Sequence, residues 1–351
     1  MKIQNQGFDH VEFAVSDLKT HEDIWMRLGF EKIGQRINQE QLTSVFAQGF
    51  VRILLTQVDS NQKNNLTDFQ KKHGDGISVL ALDVDDSVAA FEETVKKGAR
   101  PAMEPQVYQT ENGKVVRSEI WTPGDLRYAF IQRESSCENA LFDQGLVVER
   151  LESPSPHGIR LIDHLTNNVG IGEMQTWVDW YKDIFGFGVV RHFDIRTGKT
   201  GLISDVVQSE NGKIKVPINE ATEPESQVQE FVDRFHGAGV QHLAFLTTDI
   251  LSCVKNLRNS KYEFLQVPHT YYEAVPTRVP GVTESIEVLE DLQILLDGDD
   301  QGYLMQIFTK EIVGPFFFEF IQRKQNQGFG EGNFRALFEA IERDQIQRGV
   351  L

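Results

Sequence analysis

Three residues in the second half of this chain, His164, His242 and Glu319, stand where the first half carries His10, Val79 and Ala129. The match rests on repeated patterns. Asp9-His10-Val11, Gly76-Ile77-Ser78-Val79-Leu80-Ala81 and Ala129-Phe130-Ile131-Gln132-Arg133 align with Asp163-His164-Leu165, Gly239-Val240-Gln241-His242-Leu243-Ala244 and Glu319-Phe320-Ile321-Gln322-Arg323. Two imidazoles and a carboxylate from separate segments can take one face of an octahedral metal and leave the opposite corners open for substrate and dioxygen, which is iron oxygenase chemistry. The same donors also serve catalytic zinc, so the triad alone does not identify the metal. The short zinc motif, two histidines one helical turn apart with a glutamate between them, is absent. One half reads as structural and the other as a metal site.

The elements that must position these residues recur as strand, helix, then several strands, twice in each half. In the first half, Phe8 to Val15 is predicted as a strand and His21 to Leu28 as a helix closed by Gly29. Strands follow at Glu31 to Ile37, Leu42 to Gln48 and Val51 to Gln57. The cycle restarts with Ile77 to Val84, a helix from Ser87 to Lys97, and a hairpin of Val115 to Trp121 with Arg127 to Gln132. The second half repeats the plan: Leu161 to Val169, a helix from Met174 to Phe185 stopped at Gly186, then strands around Val189 to Ile195, Gly201 to Val207 and Lys213 to Ile218. A helix from Gln227 to Phe235, a strand from Gln241 to Leu246 and a helix from Ile250 to Arg258 follow, and Leu292 to Leu296, Tyr303 to Phe308 and Phe316 to Gln322 close the unit as strands. Four such modules, paired within each half, make two curved sheets around central cavities. The punctuation Ser135-Ser136 and Pro154-Ser155-Pro156 marks residues 135–158 as a linker. It divides a domain over residues 1–134 from one over 159–351. The tail from Asn333 to Arg348, with Phe334, Leu337, Phe338 and Ile341, is an amphipathic helix.

Composition bounds the function. A length of 351 residues with an internal duplication favours two domains, each with its own core. A net charge of -17 argues against nucleic acid, which is held by clustered Lys and Arg. An anionic small molecule would need local cationic help, which a metal supplies. The two cysteines, Cys137 and Cys253, lack metal spacing and point to a reducing compartment without a disulfide framework. With no signal-peptide core at the start and no membrane-length apolar run, the expected location is cytoplasmic, with no membrane partner.

Residues two apart on a strand share a face. Asn219 therefore accompanies Pro217, Gln306 accompanies Phe308, and Glu319 accompanies Phe317. Amides paired with phenylalanines describe an apolar cavity with a few polar anchors, suited to a small aromatic acid. A lone strand histidine is more often a hydrogen-bonded core residue, as His10 exemplifies. Glu319, within Phe316-Phe317-Phe318-Glu319-Phe320, demands a partner because a buried unpaired carboxylate is costly, and that partner is either a metal or a structural ion pair. Gly328-Phe329-Gly330-Glu331-Gly332-Asn333 superficially looks like a phosphate loop, but no nucleotide-binding unit follows it. It reads either as a turn that lets the last helix close with Phe329 and Phe334 facing a substrate, or as core packing. His21, His73, His157, His192, His236 and His269 lack a supporting constellation.

These segments resemble the 4-hydroxyphenylpyruvate dioxygenase family. The resemblance is carried by Asp163-His164-Leu165-Thr166-Asn167-Asn168-Val169, Gln241-His242-Leu243-Ala244-Phe245-Leu246, Leu304-Met305-Gln306-Ile307-Phe308, Phe318-Glu319-Phe320-Ile321-Gln322-Arg323 and Gly328-Phe329-Gly330-Glu331-Gly332-Asn333-Phe334. It spans nearly the whole chain, and the first half is similar to the generic vicinal-oxygen-chelate module. It implies an α+β fold of two tandem domains, each of paired βαβββ modules forming an open barrel, with a C-terminal gating helix over the active site of the second. It implies one Fe(II) per chain on His164, His242 and Glu319, and conversion of 4-hydroxyphenylpyruvate and dioxygen to homogentisate and carbon dioxide in tyrosine catabolism. It implies a substrate pocket of Ser204, Pro217, Asn219, Gln227, Gln241, Gln306, Phe308, Phe317, Phe329, Gly330, Asn333 and Phe334, and a homo-oligomer. Strand alternation alone would turn Gln241 away from the side of its neighbour His242. Hydroxymandelate synthase and ring-cleaving extradiol dioxygenases share the triad, and a non-catalytic binding module is the alternative from another class.

Overall fold

The computed structural model of the chain describes residues 3–37, 41–110, 113–134, 154–197, 199–279, 281–349 and 351. Residues 135–153 of the expected linker, Cys137 among them, lie outside the described residues. The first half runs β1 (Ile3–Val15), α1 (Leu18–Arg27), β2 (Glu31–Ile37), β3 (Gln41–Gln48) and β4 (Val51–Val58). After α2 (Asn65–His73) the plan restarts with β5 (Gly76–Val84), α3 (Ser87–Lys96), β6 (Arg100–Thr110), β7 (Gly113–Trp121) and β8 (Arg127–Arg133). The second half runs β9 (Ile159–Val169), α4 (Met174–Trp180) continued by a π-helical turn (Tyr181–Phe185), β10 (Gly188–Arg196), β11 (Gly201–Gln208) and β12 (Lys215–Ala221). It continues through α5 (Gln227–Phe235), β13 (Gly239–Thr247), α6 (Ile250–Asn259), α7 (His269–Arg278) and α8 (Ile286–Leu292) to β14 (Leu295–Gly298), β15 (Tyr303–Phe308), β16 (Phe317–Lys324) and α9 (Glu331–Arg348). Among the described residues no helix is long and apolar enough to cross a membrane.

Each half curls one eight-stranded sheet, in the orders β2-β3-β4-β1-β5-β8-β7-β6 and β10-β11-β12-β9-β13-β16-β15-β14. The second order is the first shifted by eight strands, so the duplication seen in the sequence is a duplication of topology. Modules meet at the antiparallel pairs β1/β5 and β9/β13, and β5/β8 and β13/β16 run parallel. Ala81 pairs with His10 on one side and Ala129 on the other, as Ala244 pairs with His164 and Glu319. Three positions on neighbouring central strands are thereby set side by side in both halves. Three of the four module helices open on an aspartate cap, Asp17, Asp86 and Asp249, each accepting from a backbone amide of the first turn.

The two sheets bury their convex faces against each other's helices. Trp25 of α1 lies edge-on to Phe318 at 5.3 Å and to Phe245 at 6.4 Å, while Phe185 approaches Tyr128 at 5.0 Å and Phe130 at 6.2 Å from the other side. The concave face of the first sheet is filled. Val45, Leu54, Val79, Ala81, Val115, Ala129 and Ile131 pack there. Beside them Arg117 joins Glu12 and Glu119, Arg127 joins Glu119, and Thr56 donates to Glu12 at 2.7 Å.

The differences from the sequence reading have local causes. α7 was hidden by Pro276 inside it, and α2 is a short polar helix with only one face buried. β6 is an edge strand carrying Pro101 and Pro105, which break the expected strand signature. The apolar run predicted as one strand from Leu292 to Leu296 is split at Gln293, whose φ of 63° caps α8 before β14 begins.

Gly76 and Gly239 hold equivalent places at the starts of β5 and β13, and both press on the ring of Phe235. A Cβ would lie 2.8 Å from that ring at Gly76 and 2.2 Å at Gly239. Gly239→Ala should therefore destabilise the protein by about 1–3 kcal/mol through overpacking. Gly188→Ala, where a Cβ meets nothing within 4 Å, should stay near wild type. Urea unfolding of the two variants checks the contrast.

Candidate metal centre

β9, β13 and β16 each contribute one side chain to a buried cluster at the concave face of the second sheet. His164, His242 and Glu319 are 3%, 2% and 1% exposed, and their donor atoms all lie within 4.8 Å of one another. Nε2 of His164 is 3.2 Å and Nε2 of His242 is 3.4 Å from the same oxygen, Oε2 of Glu319. Donors about 2.1 Å from a metal on adjacent octahedral corners sit roughly 3 Å apart, so this spacing suits a single ion.

Each ligand's far side is held by a second group. Nδ1 of His164 meets Asp163 Oδ1 at 3.0 Å, and Asp163 receives both Nε and Nη2 of Arg323, at 2.8 and 2.7 Å. Nδ1 of His242 lies 3.2 Å from Gln241 Oε1, and Gln306 Nε2 donates to Glu319 Oε1 at 2.8 Å. Burial opposes ionisation of Glu319, yet His164 and His242 outweigh it and bring its pKa to about 2. Burial likewise opposes charge on His164, but Glu319 and Asp163 raise it to about 9. His242 goes the other way, lowered chiefly by burial. One protonated imidazole would satisfy the carboxylate as an ion pair. A second, neutral imidazole aimed at the same oxygen fits a cation-binding donor set, which needs unprotonated nitrogens.

The first half preserves the support and lacks the donors. Asp9 pairs with His10 and with Arg133, as Asp163 does with His164 and Arg323, but Val79 and Ala129 occupy the other two positions. The aspartate–histidine–arginine bracket is thus part of the fold. His242 and Glu319 are additions to it.

Around the cluster the structure gathers most of the residues singled out from the sequence. Phe317 stacks on His242 at 4.8 Å, Phe308 stands edge-on to both, and Phe329 is edge-on to His164 at 5.6 Å. Ser204 pairs with Asn219 across β11 and β12, and Asn219 shares its face with Pro217 and donates to Asn168 at 3.2 Å. Ser204 Oγ, Asn219 Oδ1 and Gln227 Oε1 are buried without a protein partner. So are Thr166 Oγ1 and Asn168 Nδ2, two and four residues beyond His164 on its own strand face, a signal that alternation already contained. The register between β9 and β13 slips between Val240 and His242, a bulge that brings Gln241 to the Nδ1 side of His242. Gln241 also lines, with Gln227, Phe317 and Ile341, a cavity of about 260 Å³ beside α5 and α9. Gln306 and Asn333 are engaged with each other at 2.9 Å, and Gly330, with φ of 71°, begins α9 against Gln306. Phe334 stacks on Phe193 at 5.5 Å, in a cluster with Phe329 and Phe338, and so backs the wall. His21 and His73 are buried beside Asp75 and Asp125, away from this cluster.

Comparison with known proteins agrees in both halves. The N-terminal family model of hydroxyphenylpyruvate dioxygenase matches residues 2–143, and that of the glyoxalase/bleomycin resistance protein/dioxygenase superfamily matches residues 161–275. The chain is 38% identical over 354 residues to 4-hydroxyphenylpyruvate dioxygenase of Pseudomonas aeruginosa, covering 99% of this chain and 97% of that protein. It is 39% identical over 350 residues to protein MelA of Shewanella colwelliana, covering 98% and 97% respectively. Among solved structures, a mutant 4-hydroxymandelate synthase from Streptomyces coelicolor superposes with a TM-score of 0.88 at 25% identity, covering 98% of this chain and 100% of that one.

The duplicated bracket gives a paired test. Asp163→Asn should weaken divalent-metal binding about 10- to 100-fold, because it releases the imidazole of His164. Asp9→Asn, at the matching place in the first half, should leave metal binding unchanged. Co(II) titration followed by visible absorption reads both.

Proposed function

Because this chain belongs to the 4-hydroxyphenylpyruvate dioxygenase family, we propose that it is an Fe(II) enzyme converting 4-hydroxyphenylpyruvate and dioxygen to homogentisate and carbon dioxide, a step of tyrosine catabolism. His164, His242 and Glu319 would hold one Fe(II) per chain. Residues 1–134 serve as a structural domain, and residues 159–351 carry the reaction under α9. The observation that supports this reading most is the convergence of two imidazoles on one buried carboxylate oxygen in the second half, where the first half carries Val79 and Ala129 in place of His242 and Glu319.

Bound iron supplies the redox chemistry with dioxygen and the substrate's own 2-oxo acid. Held by only three protein donors, the ion would remain open to the substrate's 2-oxo acid and to dioxygen. Phe308, Phe317 and Phe329 line the space beside the imidazoles and hold the aromatic ring flat. Phe334 supports Phe329 from behind. Ser204, Asn219 and Gln227, each with a buried polar atom lacking a protein partner, supply hydrogen bonds to polar groups of the substrate. Gln306 acts differently from the expected polar anchor: its amide is committed to Glu319 and Asn333, so it orients the ligand. Burial of the ligands and the covering helix keep bulk water from the site.

A second reading takes hydroxymandelate as the product, favoured by the TM-score of 0.88 to 4-hydroxymandelate synthase. Sequence identity favours the first, at 38% against 25%. Protein reconstituted anaerobically with Fe(II) is expected to consume one dioxygen per 4-hydroxyphenylpyruvate and to yield homogentisate, identified by mass spectrometry. Glu319→Ala should abolish turnover. Hydroxymandelate as product would transfer the assignment to the second reading, and absence of Fe(II)-dependent turnover would remove both.

A further inference from the structure

The connection between the second module helix and the strand that follows it differs sharply between halves. Only residues 97–99 separate α3 from β6, whereas residues 260–294 separate α6 from β14 and carry α7 and α8. The added segment occurs in the half with the metal centre. It brings Tyr271 and Arg278 of α7 to the first turn of α9.

There they complete a directed chain of hydrogen bonds. The hydroxyl of Tyr271 lies 2.7 Å from Arg278 Nη2, 2.7 Å from Leu296 N and 2.5 Å from Asn333 Oδ1. The guanidinium and the backbone amide can only donate, which leaves two acceptors for the phenolic proton, Asn333 Oδ1 and Leu296 O at 2.8 Å; Leu296 O already accepts from Arg278 Nη2 at 2.6 Å, and Asn333 Oδ1 is the nearer, so the proton is assigned to Asn333. Asn333 Nδ2 then donates to Gln306 Oε1 at 2.9 Å, and Gln306 Nε2 donates to Glu319 Oε1 at 2.8 Å. Glu319, an ionised carboxylate, can only accept. Donor-only groups at one end and an acceptor-only group at the other fix the orientation of both amides between them. Oε1 of Glu319 is thereby occupied, and Oε2 is the oxygen that faces both imidazoles.

The same elements grip the start of α9. Arg278 lies over the ring of Tyr271 at 4.6 Å and within 3.9 Å of Asp297, whose carboxylate accepts from Gly332 N at 3.1 Å. Gly330 allows the close approach, since a Cβ there would lie 2.2 Å from Gln306 Oε1. Lifting α9 would withdraw Asn333 from Gln306 and leave Gln306 free to turn away from Glu319.

We propose that Tyr271 and Arg278 are positioning residues forming a latch, which couples the seating of α9 to the presentation of Glu319 as a one-oxygen metal ligand. This rests on the reading of Glu319 as a ligand to iron. Coupling of this kind is reciprocal: a seated helix tightens metal binding, and bound metal steadies the helix.

The test uses the full chain and Fe(II) under anaerobic conditions, with two readouts that do not involve turnover. Fe(II) affinity is measured by competition with a chromogenic chelator, and steadiness of α9 by hydrogen exchange of its first turns with and without Fe(II). Tyr271→Phe keeps the ring against Tyr272 and removes only the hydroxyl. It is expected to lower Fe(II) affinity about tenfold and to lose the Fe(II)-induced slowing of exchange in α9. Arg278→Gln, whose side chain is 32% exposed, serves as the second variant and should move both readouts in the same direction. Combined with Glu319→Gln, Tyr271→Phe should add no further loss of affinity, because both act on one interaction. Wild-type affinity in Tyr271→Phe, or undiminished Fe(II)-induced protection of α9, overturns the latch alone. Unchanged Fe(II) affinity in Glu319→Gln would overturn the iron reading and the latch with it.

Discussion

Glu319 lies between Phe318 and Phe320 with 1% of its surface exposed, where an ionised carboxylate without compensation would be strongly destabilising. The second half is organised around that constraint. Two imidazoles meet one of its oxygens and an amide meets the other, and each of these groups is itself anchored. A pair of charges would have been enough for stability. The additional neutral imidazole, and the cage of phenylalanines around it, are what a cation and an aromatic ligand explain.

The first half solves a related problem with different chemistry. Its concave face carries Glu12 and Glu119, which are answered by Arg117 and Arg127, and the pull of these guanidiniums outweighs burial to hold Glu119 at about 2. Filled with paired charges and with Val79 and Ala129, that face is a packed interior. The retained bracket of Asp9, His10 and Arg133 shows which part of the centre belongs to the scaffold. Only positions 79 and 129 separate it from the donor set of the other half. Among the described residues, two copies of one topology therefore differ at a few inward-facing side chains and in the segments bearing α7, α8 and α9.

The module plan was legible because strand periodicity and helix punctuation agree in most segments, and because the duplication offered an internal comparison. His242 and Glu319 stood out by replacing apolar residues at matched places. The register then gave the reason those places matter, with Ala81 and Ala244 as the shared reference. What periodicity does not encode was missed. The bulge that re-aims Gln241 breaks the alternation on which its orientation was judged, and Pro276 concealed α7. Arg323 could have been read from the repeated Gln-Arg pairs. Tyr271 carries no local signal, since its role depends on meeting Asn333 sixty-two residues away.

Everything in the second sheet turns on the place of one ion. Anomalous diffraction at the iron absorption edge, from crystals of the protein loaded with Fe(II) without oxygen, locates it directly. One peak per chain is expected, about 2.1 Å from His164 Nε2, His242 Nε2 and Glu319 Oε2, and none in the first sheet. A peak elsewhere, or none while the three side chains keep their positions, would contradict it.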